Sequence, residues 1–123
     1  AAPQSDMLSV GAAPRIWLCT EPTDMRCSFD GLSARVKQHL GEDPFGGCWF
    51  AFLNRRATQI KVLGFEEGGY WIWAKRLERG QFARLCAVGG SAKRAVCATE
   101  FLALLEGVDV VIKKHRKRYK RAA

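Results

Sequence analysis

The sequence predicts a small single α+β domain with an antiparallel β-meander, two helices and a basic C-terminal tail. Three runs rich in aromatic and β-branched residues follow one another between residues 48 and 77, joined by four-residue connectors. One segment with apolar residues at helical spacing precedes them, another follows, and a glycine ends each. A length of 123 residues with 48% hydrophobic content suits one compact core.

Composition divides the chain into three parts. Residues 1–14 are expected to be a flexible lead, in which Met7 is a candidate native start, so residues 1–6 are left out of the fold. Residues 15–112 form the predicted domain, and residues 113–123 a basic tail expected to be disordered. Neither a secretory signal nor a run of about 18 apolar residues is present. We therefore expect a soluble protein of the bacterial cytoplasm without membrane partners.

The N-terminal half of the domain predicts a strand and a helix. Residues 15–19 are typical of a short strand. Ser28 or Thr23 is a candidate cap for the helix, and Gly41 is its expected end. Apolar residues at spacings of three and four form one stripe of this helix: Met25, Phe29, Leu32, Val36 and Leu40.

The predicted meander has strands at residues 48–53, 58–65 and 70–77. If the short connectors fix the register, Leu53 lies opposite Thr58 and Phe65 lies opposite Tyr70. Alternation then makes both sheet faces largely apolar, so a helix is expected to cover at least one of them. One face carries Phe50, Phe52, Lys61, Leu63, Phe65, Tyr70, Ile72 and Arg76, and the other carries Trp49, Leu53, Ile60, Val62, Trp71, Trp73 and Lys75.

The C-terminal third is less regular. Residues 80–94 predict a loop with one short strand near residues 82–86. Thr99 is the expected cap of a second helix whose apolar side holds Phe101 and Leu104, and Gly107 is its expected end. Residues 108–112 are typical of a last strand.

Cysteine and histidine placement gives no sign of a disulfide framework or a zinc site. His39 lies on a predicted helix and His115 in the tail. The five cysteines include no C-x-x-C pair, and they are Cys19, Cys27, Cys48, Cys86 and Cys97. We expect no metal and no cofactor.

The formal charge of +8 is concentrated at the C-terminus. The remainder of the chain is nearly neutral, so the tail is expected to bind phosphate backbones through counterion release. A solubilising end, or a contact for an acidic protein, is the alternative. The cations of the tail are Lys113, Lys114, Arg116, Lys117, Arg118, Lys120 and Arg121.

A second set of cations converges on one end of the predicted sheet. Arg55 and Arg56 lie on the first hairpin loop, and the third strand returns Lys75, Arg76 and Arg79 to the same end. These side chains are predicted to contact DNA phosphates. An ordinary solvated loop end, partly balanced by acidic neighbours, is the alternative.

Two further residues extend this prediction. Trp73 is a candidate for base stacking because Lys75 follows it on the same sheet face. Lys61 is included as a candidate DNA contact, although its predicted neighbours are apolar.

Carboxylates raise the alternative of a small metal-dependent nuclease, since two-metal phosphoryl chemistry needs clustered carboxylates. Asp24, Asp30 and Glu78 are the candidates. The first two also suit the start of a helix, where they face the positive end of its dipole. No pattern brings the three together, so we expect no catalytic residues.

Ordered blocks over most of the chain resemble the TnpB accessory family, encoded by the second open reading frame of sixty-six-type bacterial insertion sequences. Their joint order and spacing carry the resemblance, while Cys27 and Cys48 depart from the polar or basic residues expected there. The blocks are RIWL at 15–18, TDMR at 23–26, FDGL at 29–32, DPF at 43–45, FAF at 50–52, RR at 55–56, IKVL at 60–63, WIWAKRLERG at 71–80 followed by Phe82, and LLEGVD at 104–109.

The resemblance implies a non-enzymatic accessory factor of DNA transposition that acts beside a separate, larger transposase. Its expected partners are DNA, at element ends or target, the transposase, and another element-encoded accessory protein. Such a factor would be nucleoid-associated when bound. The alternative is a protein adaptor that holds the transposase and has little DNA affinity of its own.

Overall fold

The computed structural model describes residues 14–85 and 89–107. Four predicted features lie outside these ranges: most of the N-terminal lead, Cys86, the strand at residues 108–112 and the basic tail. The described residues form the α+β fold predicted from the sequence.

Five strands form one mixed sheet in the order β4-β3-β2-β1-β5. The central meander is confirmed, because β3 pairs antiparallel with both β2 and β4. β1 pairs parallel with β2 and antiparallel with β5. The strands are β1 (Ile16–Cys19), β2 (Trp49–Leu53), β3 (Gln59–Glu66), β4 (Gly69–Arg76) and β5 (Lys93–Val96).

A helix connects the parallel strands, which a tight turn cannot join. Helix α1 (Phe29–Arg35) continues as a π-helical turn (Val36–Leu40) and ends, as predicted, at Gly41 with a left-handed φ of 68°. Met25 lies before the helix rather than on it. Ser28 occupies the cap position but makes no side-chain capping bond.

The predicted division of the sheet faces is correct, and each face has a helix. Leu32, Val36 and Leu40 pack on the face that carries Phe50 and Phe52. Helix α2 (Ala98–Glu106) covers the other face through Phe101 and Leu104. Burying a large apolar side chain contributes roughly 1.5–3 kcal/mol to the free energy of unfolding. The two helix layers therefore stabilise the sheet, and the sheet positions the loops at its ends.

The first hairpin differs from the predicted register by two residues. Leu53 pairs with Ile60 rather than with Thr58, whereas Phe65 pairs with Tyr70 as expected. Thr58 and Gln59 belong to the connector between Leu53 and Ile60 as well, and the backbone N–H of Asn54 donates to the Gln59 carbonyl at 3.2 Å. A shift of two residues leaves every side chain on its predicted face.

The prediction for residues 80–94 was wrong at both ends. β5 begins inside this range, and residues 82–85 are irregular backbone instead of a strand. The sequence pattern did not predict β5 because Lys93 and Arg94 make this segment polar, and the strand forms through its pairing with β1.

The predicted cap of the second helix was also wrong. The cap of α2 is Cys97 instead of Thr99, and Cys97 and Glu100 bond each other reciprocally.

Candidate nucleic-acid interface

The turn between β2 and β3 holds Arg55 and Arg56 in the solvent. The side-chain oxygen of Asn54 accepts the backbone N–H groups of Thr58 and Gln59 at 2.8 and 3.0 Å. Its amide nitrogen donates to the Thr58 hydroxyl at 3.0 Å. One side chain therefore fixes the turn and leaves both guanidinium groups exposed.

The segment after β4 supports this turn from the side. The Leu77 N–H donates to the Thr58 carbonyl at 2.8 Å, and the N–H of buried Phe82 donates to the Ala57 carbonyl at 2.7 Å. Two side chains donate hydrogen bonds to the backbone carbonyls of the turn arginines. Gln81 donates to that of Arg56 at 2.8 Å, and the Arg84 guanidinium donates to that of Arg55.

Arg76 and Arg79 lie at the same end of the sheet, as predicted. Arg76 pairs with Gln59, the first residue of β3, and Arg79 is exposed in the turn that follows β4. Arg76 forms an exposed ion pair with Glu78 at 3.8 Å. Exposed ion pairs of this kind contribute little to stability. The contact with Glu78 therefore leaves the Arg76 guanidinium accessible to a ligand. We call Arg55, Arg56, Arg76 and Arg79 the arginine end.

The two predicted lysines make structural contacts. The ammonium group of Lys75 donates to the Leu105 carbonyl, in the last turn of α2, at 2.9 Å. Lys61 is half-buried on the other face and donates to the Cys27 carbonyl at 2.8 Å, which holds the loop before α1 against the sheet. Alternation along β4 points Lys75 and Arg76 to opposite faces.

Sequence reasoning missed Arg26, which also lies beside the turn. Residues 22–26, together with Asn54, Arg55, Arg56 and Gln59, border an open cleft of about 540 Å³. Arg26 contributes to its wall, and its side chain is 91% exposed. Only the fold brings Arg26 to residues almost thirty positions further along the chain.

Arg26 is held by Asp24. The carboxylate accepts the guanidinium Nη2 at 2.7 Å, Nε at 3.1 Å and the backbone N–H at 2.8 Å. The side-chain bonds from Arg26, then its backbone bond, lower the pKa of Asp24 from 3.8 to about 2. Asp24 therefore stays ionised at neutral pH and orients the arginine.

Trp73 belongs to an apolar groove instead of to the arginine end. It is 42% exposed and pairs with Val62 on the face covered by α2. The groove has a volume of about 340 Å³ and lies beside β4, the edge strand of the sheet. We call it the tryptophan groove, and its residues are Trp49, Val62, Trp71, Ile72, Trp73, Phe101 and Leu105.

The carboxylates considered for nuclease chemistry have other surroundings. Asp24 binds Arg26, Asp30 lies in the first turn of α1, and Glu78 pairs with Arg76. Within residues 14–85 and 89–107, no group of three or more His, Cys, Asp and Glu side chains is placed to hold a metal ion. In the same part of the chain, no helix has the length and apolar character needed to cross a membrane.

In a comparison with known protein families, residues 14–115 match the family described as IS66 Orf2-like protein. The uncharacterized protein y4hO of Sinorhizobium fredii is 37% identical over 103 residues, which cover 84% of this chain and 88% of the relative. A second protein of that organism, y4jC, is 30% identical over 103 residues, covering 84% and 86% of the two chains. No solved structure matches.

Proposed function

This chain belongs to the family of IS66 Orf2-like proteins, the accessory proteins of an insertion-sequence class, and we propose that it assists transposition without catalysis by binding DNA. The observation that carries this proposal is the arginine end. Four exposed guanidinium groups lie at one end of the sheet, on backbone fixed by side-chain and main-chain hydrogen bonds.

Guanidinium groups suit phosphate because their planar donors bind its oxygens in pairs, and they stay charged at any physiological pH. The carbonyls of Arg55 and Arg56 already have donors, Arg84 and Gln81, so the turn need not rearrange when the side chains bind. Phosphate contacts of this kind orient a protein on DNA without reading its sequence. Lys61 and Lys75 are left out of the surface because their ammonium groups donate to backbone carbonyls.

The basic tail adds affinity that depends on salt. Its seven cations lie within nine residues of sequence. Each phosphate that they neutralise makes the slope of log affinity against log salt concentration more negative by about 0.9. On this proposal the protein works in the bacterial cytoplasm and at the nucleoid, with the transposase and another element-encoded accessory protein as partners.

Fluorescence anisotropy tests the proposal. Labelled element-end and scrambled duplexes are titrated across a salt series with the full chain, a truncation after residue 112, and the double variant Arg55→Ala/Arg56→Ala. We expect the truncated protein to bind with a shallower salt slope, and the double variant to lose at least tenfold in affinity, as for lost charge-assisted hydrogen bonds.

Arg15→Ala is the matched control for this experiment. Arg15 is exposed like Arg55, but it precedes β1, whose parallel pairing with β2 puts it at the opposite end of the sheet. Equal losses in Arg15→Ala and in the double variant would indicate general charge attraction. Binding only by the tailed protein, or none, would remove the arginine end as a DNA site.

A second candidate function is a protein adaptor for the transposase, favoured by the tryptophan groove and the adjoining edge strand. The outer backbone of β4 has no partner strand among the described residues. An extended transposase segment that pairs with β4 would place an apolar side chain in the groove and an acidic one near Arg76. Trp73→Lys should abolish such binding, measured by calorimetry with transposase peptides, while Arg55→Ala/Arg56→Ala should retain it.

A further inference from the structure

The cleft beside the arginine end is concave, and its two walls are anchored to each other. One wall is the loop at residues 22–26, and the other is the turn with Arg55, Arg56 and Gln59. We call it the Arg26 cleft. The Thr23 N–H donates to the Leu53 carbonyl at 2.8 Å, and Arg35 donates to the Pro22 carbonyl at 3.1 Å. These bonds hold the loop at residues 22–26 in place beside the turn.

The charge of the Arg26 cleft favours an anion. Three arginines and one carboxylate border it. Asp24 accepts from Nε and Nη2 of Arg26, so among the described residues the Nη1 hydrogens have no acceptor. An anion in the cleft can bind Nη1 without breaking the Asp24 contact.

The cleft also offers groups that suit a nucleobase. The side chain of Asn54 is fully used within the turn, whereas the half-buried Gln59 makes no side-chain hydrogen bond in the described part of the chain. Its amide is a donor and an acceptor, which matches the edge of a base. Half-buried Met25 adds an adaptable apolar surface for the base face.

A second depression continues from the cleft toward the arginine end. It has a volume of about 130 Å³, shares Met25 and Gln59 with the cleft, and reaches Arg76. Cations at both ends of this path match successive phosphates of a strand better than one isolated anion.

We propose that the Arg26 cleft binds a nucleotide of an unpaired DNA strand, with its phosphate on Arg26, Arg55 and Arg56 and its base edge on Gln59. The proposal rests on the DNA-binding function proposed above and deepens it. The phosphates of a duplex lie on a convex surface and reach the rim of such a recess, whereas a base outside the stack can enter it. A volume of about 540 Å³ falls within roughly 300–1,000 Å³, the range of small-ligand sites.

The test compares three labelled DNAs with the full chain: an element-end duplex, the same duplex with a three-nucleotide unpaired overhang, and the single strand alone. We expect the overhang and the single strand to bind more tightly than the blunt duplex. Arg26→Ala should remove this preference by lowering affinity for unpaired DNA about tenfold, the effect of one charge-assisted hydrogen bond, and should change duplex affinity little. Asp24→Asn should strengthen binding of unpaired DNA, because it removes the one negative charge from the cleft.

Arg79→Ala is the matched control, because Arg79 belongs to the arginine end but does not border the cleft. It should lower affinity for all three DNAs by a similar factor. Gln59→Ala should alter the preference among bases at the overhang, which loss of a phosphate contact would not do. An unpaired nucleotide can come from DNA or from RNA, so an RNA of the same sequence is titrated in parallel. Tighter binding to RNA than to DNA would overturn the DNA assignment.

Equal affinity for blunt and overhanging DNA, or an equal effect of Arg26→Ala on both, would overturn this inference while the DNA-binding function remained. A complete absence of DNA binding by the full chain would overturn both. Arg26 is almost fully exposed, so its variant should keep the fold and lose at most the small stabilisation of the Asp24 contact, and circular dichroism verifies that the fold is intact.

Discussion

The indole of Trp71 lies directly over Gly64 on the neighbouring strand. The two residues are cross-strand partners, and a Cβ placed on residue 64 would be 2.1 Å from Cζ2 of the indole. Only glycine permits this contact. It brings Trp71 against Trp49 in an edge-to-face arrangement with ring centroids 5.2 Å apart, and both rings line the tryptophan groove.

Gly64→Ala should therefore destabilise the protein by about 1–3 kcal/mol, the usual effect of overpacking. Urea unfolding measures this loss. Gly69→Ala is the control, because a Cβ there meets open space and the backbone has no positive φ. Similar stabilities of the two variants would contradict the steric account.

Replacing Cys97 should separate its role as a helix cap from its role as a thiol. Its sulfur accepts the Glu100 N–H, and the Glu100 carboxylate accepts the Cys97 N–H at 3.0 Å. This backbone bond, followed by the Arg94 side chain, lowers the pKa of Glu100. Serine retains the cap, so Cys97→Ser should preserve stability, whereas Cys97→Ala should lose about 0.5–2 kcal/mol.

Thermal unfolding under reducing conditions distinguishes these two variants. The reducing agent keeps the wild-type thiol from forming intermolecular disulfides that would obscure the comparison. Equal melting temperatures for the serine and alanine proteins would show that the sulfur does not act as a cap.

Lys75 and Arg76 are adjacent in sequence, yet they should respond differently to substitution. Lys75 binds the Leu105 carbonyl near the negative end of α2. Lys75→Met should lower stability by up to about 1 kcal/mol and change DNA affinity little. Arg76→Met, its matched control, should weaken DNA binding and leave stability nearly unchanged. Parallel urea titrations and anisotropy measure both effects, and the reverse pattern would contradict the assignment.

The Asp24 contact predicts a specific acid sensitivity. The pKa of Asp24 is about 2 in the folded protein against 3.8 for a free side chain. A depressed pKa contributes stability that is fully present above about 3.8 and is lost as pH falls toward 2. The urea midpoint of the wild type should therefore fall more steeply across this window than that of Asp24→Asn.

The difference between those two proteins isolates Asp24, since every other carboxylate titrates in both. Parallel curves from pH 5 to about pH 2 would mean that the contact contributes nothing to folding.

The sequence by itself determined the sheet faces and the location of the four arginines. Alternation with a period of two assigns side chains to faces even when the register is uncertain. The two-residue error in the predicted register at Leu53 therefore left the predicted sheet faces correct. Short connectors also oblige the end of β4 to return beside the first hairpin, so Arg55, Arg56 and Arg76 share an end.

The tertiary structure alone decided which distant segments meet. The pairing of β1 with β5, the approach of Arg26 to the β2–β3 turn, and the carbonyl contacts of Lys61 and Lys75 depend on long-range hydrogen bonds. Local patterning encodes the faces of an element but not its neighbours. Those neighbours are selected when buried backbone groups find donors and acceptors far away in the chain.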